Sequence, residues 1–255
     1  PRAPLSNQLN LGELYPPKRG DEHRVANRSD FKKIEVGALI AGGGIAGSAL
    51  FRYMAESGLN PVLVNADRGS SWRNIGGGRT AFSLPELAEI AEHNHTIFKE
   101  LQKLSNIDYK ATRYINLAHD EATFNALDAS RAWSDAYMVA PKDFQKEISP
   151  YFSTKSKRYL GALITNDCWQ ATPGKVVDLI RNMGISAGGR CVEDCKVLEV
   201  MKEGATYSIL VLTHDKKYVE FRTEIFVNAL GAGAGKICEG LGIHAGLYPV
   251  RHQAF

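Results

Sequence analysis

The segment Gly42-Gly43-Gly44-Ile45-Ala46-Gly47 constrains this chain more than any other. It follows the apolar run Ile34–Ala41, which reads as a short buried strand. It precedes Ala49, Leu50, Tyr53 and Met54, which stand at helical spacing. Gly58 marks the stop of that helix, and Pro61-Val62-Leu63-Val64 supplies a second strand. Gly42, Gly44 and Gly47 therefore fit G-x-G-x-x-G inside a β-α-β unit of the length that dinucleotide binding requires. Gly42 permits the tight turn, Gly44 lets backbone approach a pyrophosphate, and Gly47 allows close helix–strand packing. The helix N-terminus at Ile45 and Ala46 offers backbone N–H groups and roughly half a positive charge to the phosphates. The alternative, a purely structural glycine turn, does not explain why strand and helix flank the glycines in this order.

The next expected part is an acid at the end of the second strand, bonding the adenosine ribose. Here the strand ends Val64-Asn65-Ala66-Asp67, with Asn65 in the usual acidic place and Asp67 two residues on. An amide both accepts from one hydroxyl and donates to another, so Asn65 and Asp67 are the ribose candidates.

The rest of the chain reads as mixed α and β. A helix is expected after Phe82, with Ser83 as N-cap, Glu86 completing a capping box, and Leu87, Ile90, Ala91, Phe98, Leu101 and Leu104 as its apolar face. Strands are expected near Tyr114–Ala118 and Tyr159–Ile164, and helical pieces near Ala122–Leu127 and Pro141–Ile148. Thr172-Pro173 caps a further helix, followed by a meander of Lys196–Val200, Tyr207–Leu212 and Tyr218–Phe221. A buried strand Ile225–Ala229 then runs into Gly231-Ala232-Gly233.

Composition excludes several functions. With 44% hydrophobic residues over 255 positions, the chain is globular, and no apolar run approaches the ~20 residues of a membrane span. The net charge of +3 sits in residues 1–33, a proline-rich irregular arm with Leu9, Leu11, Leu14 and Tyr15 as anchors; the remaining chain holds 24 basic and 24 acidic residues. That balanced body gives no nucleic-acid footprint. The arm's charges are interspersed with acids, a poor pattern for membrane recruitment. Cys168, Cys191, Cys195 and Cys238 lack metal-site spacing, so no metal is expected and the thiols read as reduced and partly buried, in a cytoplasmic protein. His93 and His95 cannot share a helix face, and both read as surface or satisfied buried residues.

Three blocks together resemble the FAD-dependent D-amino-acid oxidase/glycine oxidase superfamily (DAO), in its sarcosine oxidase β-subunit and dye-linked proline dehydrogenase branch. They are Gly42–Gly47, Trp72-Arg73-Asn74-Ile75-Gly76-Gly77-Gly78-Arg79, and Phe226-Val227-Asn228-Ala229-Leu230-Gly231-Ala232-Gly233-Ala234. The resemblance implies a Rossmann-like FAD-binding domain with a parallel sheet, interleaved with part of an α+β substrate domain. The FAD-binding parts are expected at 34–106 and 169–243, the substrate-domain part at 107–168, and a return towards it at 244–255. It also implies FAD rather than NAD, with the flavin ring beside Arg73, Asn74, Gly76, Gly77, Gly78 and Arg79. Adenine is expected against the backbone of Val197, and Ala229, Gly231 and Gly233 close the cofactor site. Ser70–Arg73 holds no His or Cys for a covalent flavin link.

The expected activity is oxidation of a small secondary amine or amino acid by hydride transfer to flavin, the flavin carrying the redox chemistry. Arg251 and His252 are the candidates for the active site. The alternatives are a non-catalytic flavin-binding subunit of a complex and an NAD-dependent dehydrogenase using the same glycine fingerprint. Members of the family continue past the segment matched by Tyr248–Phe255, which reads as strand. The expectation is an N-terminal part of a split or processed enzyme, completed by a second polypeptide.

Overall fold

The structure is a computed structural model that describes residues 31, 33–65, 69–153 and 158–250. The arm up to residue 30, and with it Asp67, Arg251 and His252, lies outside the described residues. The chain divides into two compact units, one formed by residues up to Asn74 and from Val176 onward, the other by Ile75–Lys175.

The first unit holds two sheets. Strands β2 (Ala38–Ala41), β3 (Pro61–Val64), β8 (Arg190–Val192) and β12 (Phe226–Asn228) pair in parallel in the order β12-β2-β3-β8. Strands β9 (Lys196–Glu203), β10 (Thr206–Leu212) and β11 (Tyr218–Thr223) form an antiparallel meander, with β1 (Lys33–Glu35) added parallel to β11.

The period-2 alternation of β2 and β3 sorts the core. Leu39, Ala41, Val62 and Val64 face Val197, Val200, Ile209, Val211, Val219 and Phe221 of the meander. Ala38, Ile40 and Leu63 on the opposite face pack with Phe51 and Met54 of α1 (Ile45–Glu56) and Ile185 of α5 (Pro173–Ser186). Strands buried on both faces read as continuous apolar runs, as β2 and β3 do.

The expected single strand Ile34–Ala41 is in fact two strands in two sheets. The break lies at Val36-Gly37, where a side chain on Gly37 would collide with the carbonyl of Leu59. Gly58, at φ +77, ends α1 as expected. Strand β8 and the helix α6 (Ala234–Gly240) are additions to the expected elements. Residues 243–250 form no strand, and the rest of the strand expected over Tyr248–Phe255 lies outside the described residues. Strand β12 is half-buried rather than buried.

In the second unit β7 (Gly161–Gln170) is central. It pairs antiparallel with β5 (Lys110–Ala118), with β4 (Gly77–Gly78) and with β6 (Ala136–Val139), the last absent from the sequence reading. Val139, Ala162 and Ile164 pack with Phe144, the first residue of α4 (Phe144–Glu147). Helix α3 (Glu121–Ala129) is capped by Asp120, whose side chain accepts from the Thr123 N–H at 2.7 Å.

Helix α2 (Pro85–Leu104) starts one residue later than the capping box requires: its N-cap is Leu84, in extended conformation, and Ser83 makes no cap. Pro85 disfavours helical backbone at the residue before it, so the helix begins at the proline. Of its expected apolar face Ala91 and Leu101 are buried, joined by Ala88 and His95, whereas Ile90 is 57% and Leu104 64% exposed. Helix α2 lies in the Ile75–Lys175 unit, where His95 and Phe98 pack on Trp169 of β7. No described helix is long and apolar enough to cross a membrane.

Candidate functional site

The order β12-β2-β3-β8 places the strand order's reversal between β12 and β2, and ligands of open α/β sheets bind outside the carboxyl ends of strands at such a point. The glycine loop leaves β2 there. Gly42 has φ +106, and a Cβ on it would overlap the carbonyl of Ala229, which follows β12. A Cβ on Gly47 would overlap the carbonyl oxygen of Gly42. The outer two glycines are thus demanded by the protein's own packing. Gly44 is different: its φ is −70, and a Cβ there would meet only the Ser71 hydroxyl, at 3.0 Å.

The loop is pinned from below and from the side. The fully buried Ser48 donates from Oγ to the Gly43 carbonyl at 3.1 Å. Asn65, one residue past β3, accepts the Gly43 N–H on its Oδ1 at 3.2 Å. Asn65 is itself fixed, its N–H donating to the Val192 carbonyl at 2.9 Å and its carbonyl accepting the Cys195 N–H at 3.1 Å. The Cys195 thiol also points at carbonyl oxygens, those of Val192 at 3.1 Å and of Asn65 at 3.6 Å. Burial pushes this thiol up to about 12, so it is a donor and not a nucleophile.

Helix α1 opens with Gly44 as N-cap, without a capping side chain or an acid in its first turn. Its first N–H, that of Ile45, donates to Ser71 Oγ at 3.0 Å. Ser71 sits in a short 3-10 turn, Ser70–Trp72, closed by Asn74 Nδ2 donating to the Ser71 carbonyl at 2.9 Å. Ser71 is a site residue that sequence reading missed, having entered only as part of a stretch without His or Cys. A helix N-terminus with exposed Ile45 and Ala46 and no acid of its own suits an anion.

Ala229 is tied to β2 through its N–H, which donates to the Ala41 carbonyl at 2.8 Å. Gly231, at φ +56, and Gly233 form a 3-10 turn into α6. The Asn228 amide donates to the Ala234 carbonyl at 2.9 Å, while its side-chain oxygen is buried without a hydrogen-bond partner among the described residues. Val197 lies in β9 opposite Val211, beside a register shift, with its side chain in the core, so only its backbone is available for recognition.

Within the second unit the triplet divides by role. Gly76, at φ +69, leaves no room for a Cβ against the Ala171 carbonyl, and Gly78 leaves none against the Trp169 indole. Gly77 between them is exposed, and a Cβ on it would touch only the Ile75 side chain, at 3.6 Å. The expectation of a glycine triplet shaped for close approach therefore comes down to Gly77, its neighbours being required by β7. The Arg79 guanidinium lies 4.6 Å over Phe82 and 5.2 Å over Tyr114, and donates to Asn116 Oδ1 at 3.3 Å. Arg73 and Asn74 are exposed in the first unit. Gly42, Gly44, Ile45, Ala46, Gly47, Asn65 and Ala229 are thus gathered at the carboxyl end of the parallel sheet. Gly76, Gly77, Gly78 and Arg79 form a second group inside their own unit. Among the described residues no cluster of three His, Cys, Asp or Glu could hold a metal ion.

A family model described as DAO, FAD dependent oxidoreductase, matches residues 38–255. Among curated proteins, the chain is 25% identical over 240 residues to the anaerobic glycerol-3-phosphate dehydrogenase subunit A1 of Haloferax volcanii. That match covers 83% of this chain and 39% of the relative. Among solved structures, L-proline dehydrogenase from P. horikoshii superposes with a TM-score of 0.69 at 19% identity, covering 83% of this chain and 57% of that one. Glycine oxidase from Geobacillus kaustophilus gives 0.66 at 18%, with 82% and 59% covered. L-alpha-glycerophosphate oxidase from Mycoplasma pneumoniae with FAD bound gives 0.61 at 18%, with 83% and 57% covered. The chain spans less than two thirds of each of these proteins.

Proposed function

Because the chain belongs to the DAO family of FAD-dependent oxidoreductases, we propose that it takes part in oxidising a small secondary amine or amino acid. The observation that carries the cofactor side of this reading is the division of labour among the glycines. Gly42 and Gly47 are fixed by packing against backbone, while a Cβ on Gly44 would meet only the Ser71 side chain, beside the anion-suited N-terminus of α1. The pyrophosphate of FAD belongs there, against the N–H of Ala46 and beside the Ser71 hydroxyl that accepts the Ile45 N–H. Asn65 offers its amide NH2 to the ribose, with Asp67 as the second sequence candidate, and the Val197 backbone takes the adenine. Gly77 offers unobstructed backbone to the flavin ring, and Arg79, held between two aromatic rings, offers its remaining N–H donors to negative charge. When bound, FAD supplies the two-electron acceptor. The protein binds, orients and excludes water. Arg251 and His252 are the sequence candidates for contact with substrate.

FAD dependence of the family sets aside the NAD-dependent alternative. A second reading, oxidation of the alcohol carbon of glycerol 3-phosphate, has its own support in the sequence match to a glycerol-3-phosphate dehydrogenase subunit. That relative is named as a subunit, which supports assembly of this chain with a partner polypeptide. Anaerobic titration of the purified flavoprotein, with any co-purifying chain retained, tests the readings. Bleaching of the flavin band by L-proline, glycine or sarcosine supports the amine reading, and bleaching by glycerol 3-phosphate alone replaces it. No bleaching by any of them, with flavin bound, supports the non-catalytic subunit.

A further inference from the structure

A buried polar cluster outside the glycine loop packs against the Gly77–Gly78 strand. His95 of α2 is 3% exposed, yet both ring nitrogens are engaged. Nδ1 lies 3.1 Å from Asp167 Oδ1, and Nε2 lies 2.7 Å from the Tyr109 hydroxyl. The carboxylate can only accept, so Nδ1 carries the proton, and Nε2 accepts from the Tyr109 hydroxyl. Burial, and then the charge of Asp167, raise Tyr109 above its ordinary value, which keeps that hydroxyl protonated as the donor. The backbone carbonyl of Asp167 accepts from Thr80 Oγ1 at 3.0 Å, two residues past Gly78.

The imidazole stacks on Trp169, ring centres 4.5 Å apart and planes 5° apart, with Phe98 tilted against the indole at 5.4 Å. Trp169 is the β7 partner of Gly78 in register, and its indole fills the space a Gly78 side chain would need. An aliphatic side chain in place of His95 would fill volume without fixing a plane. Two hydrogen bonds at opposite corners of the ring fix its rotation, and the stack passes that plane to the indole and so to the backbone above it.

We propose that Asp167, His95 and Tyr109 are positioning residues that act through Trp169 to hold the Gly77–Gly78 backbone at the level the flavin ring requires. This rests on the FAD reading given above. Such outer supports commonly decide whether a binding constellation is tight or loose by a fraction of an ångström.

The test compares FAD with ADP, which lacks the flavin ring, on the full chain and any polypeptide that co-purifies with it. His95→Phe keeps a flat ring and loses both hydrogen bonds. The expected result is an FAD dissociation constant raised about tenfold, with ADP affinity unchanged within about twofold. A shift of the flavin absorption band should accompany it. Tyr109→Phe removes a single oxygen from a half-buried ring and should fold where His95→Phe does not; it should weaken FAD in the same direction by a smaller factor. Equal changes for FAD and ADP, or an unchanged FAD affinity and band in a folded Tyr109→Phe protein, overturn the proposal. Failure of the unmodified protein to bind FAD, with ADP binding intact, overturns the FAD reading itself and takes the proposal with it.

Discussion

The side-chain oxygen of Asn65 accepts the backbone N–H of Gly43 at 3.2 Å, joining the end of β3 to the glycine loop that leaves β2. The residue in the place where an acid is expected therefore has a structural duty towards the loop as well as a proposed one towards ribose. Asn65→Asp keeps the acceptor and should retain flavin nearly as well as the unmodified protein. Asn65→Ala loses it and should lower stability by about 1 kcal/mol, the usual net worth of one hydrogen bond. Urea unfolding and flavin content of the two variants check this, and equal behaviour would show that the contact contributes nothing.

Gly44 is the glycine at which ligand binding separates from folding. Its backbone angles suit any residue, and a larger side chain meets only the Ser71 hydroxyl. Gly44→Val should fold with unchanged circular dichroism and fail to retain flavin. Gly47→Ala, by contrast, should destabilise the fold itself by about 1–3 kcal/mol, because its methyl has no space beside the Gly42 carbonyl. A Gly44→Val protein purified with stoichiometric flavin would remove the pyrophosphate from this loop.

The triplet yields a parallel contrast within the second unit. Gly77→Ala should leave thermal stability within about 0.5 kcal/mol, as for an exposed substitution, while loosening FAD. Gly78→Ala should cost about 1–3 kcal/mol, since its methyl collides with the Trp169 indole. Thermal melts with and without FAD distinguish the two effects, and a larger loss of stability at Gly77 than at Gly78 would refute the assignment.

Cys191 and Cys195 make alkaline pH the weak side of the fold. Burial raises both thiols from 9.0 to about 12. The folded chain keeps protons that the unfolded chain releases above pH 9, so their contribution is complete below that pH. It should decline by about 1.4 kcal/mol per pH unit per thiol as pH rises towards 12. Urea midpoints between pH 8 and 11 should fall more steeply in the unmodified protein than in Cys191→Ala. Identical slopes would mean that the thiol is not held protonated.

Assembly with a partner predicts a second polypeptide in stoichiometric amount beside the one that carries this sequence. Intact mass and a denaturing gel of the natural protein check it. A single polypeptide that binds flavin and oxidises amine by itself would refute it.

The nucleotide-binding β-α-β unit was legible because its determinants are local. Apolar runs on Ala38–Ala41 and Pro61–Val64, glycines at fixed spacing and the stop at Gly58 all act within a few residues of themselves. Ser83 and Glu86 satisfy the capping-box pattern, but Pro85 moves the start of α2 to itself, a local rule overriding a local pattern. The apolar face of α2 is legible at Ala91 and Leu101 but not at Ala88 and His95: Leu87, Ile90 and Leu104 outrank these in hydrophobicity, yet the helix turns towards Trp169 of β7.

The sequence by itself determined the glycine loop, its strand and helix, and the family resemblance, because backbone sterics and hydrophobic periodicity are written in consecutive residues. Tertiary structure alone decided that Ile34–Ala41 divides between two sheets at Gly37 and that Ser71 meets the first N–H of α1. It also decided that Gly76 and Gly78 serve β7 while Gly77 stands open, and that His95 is clamped between Asp167 and Tyr109. Each of these depends on which atom from a distant part of the chain occupies a given few cubic ångströms, and no spacing rule along the chain carries that information.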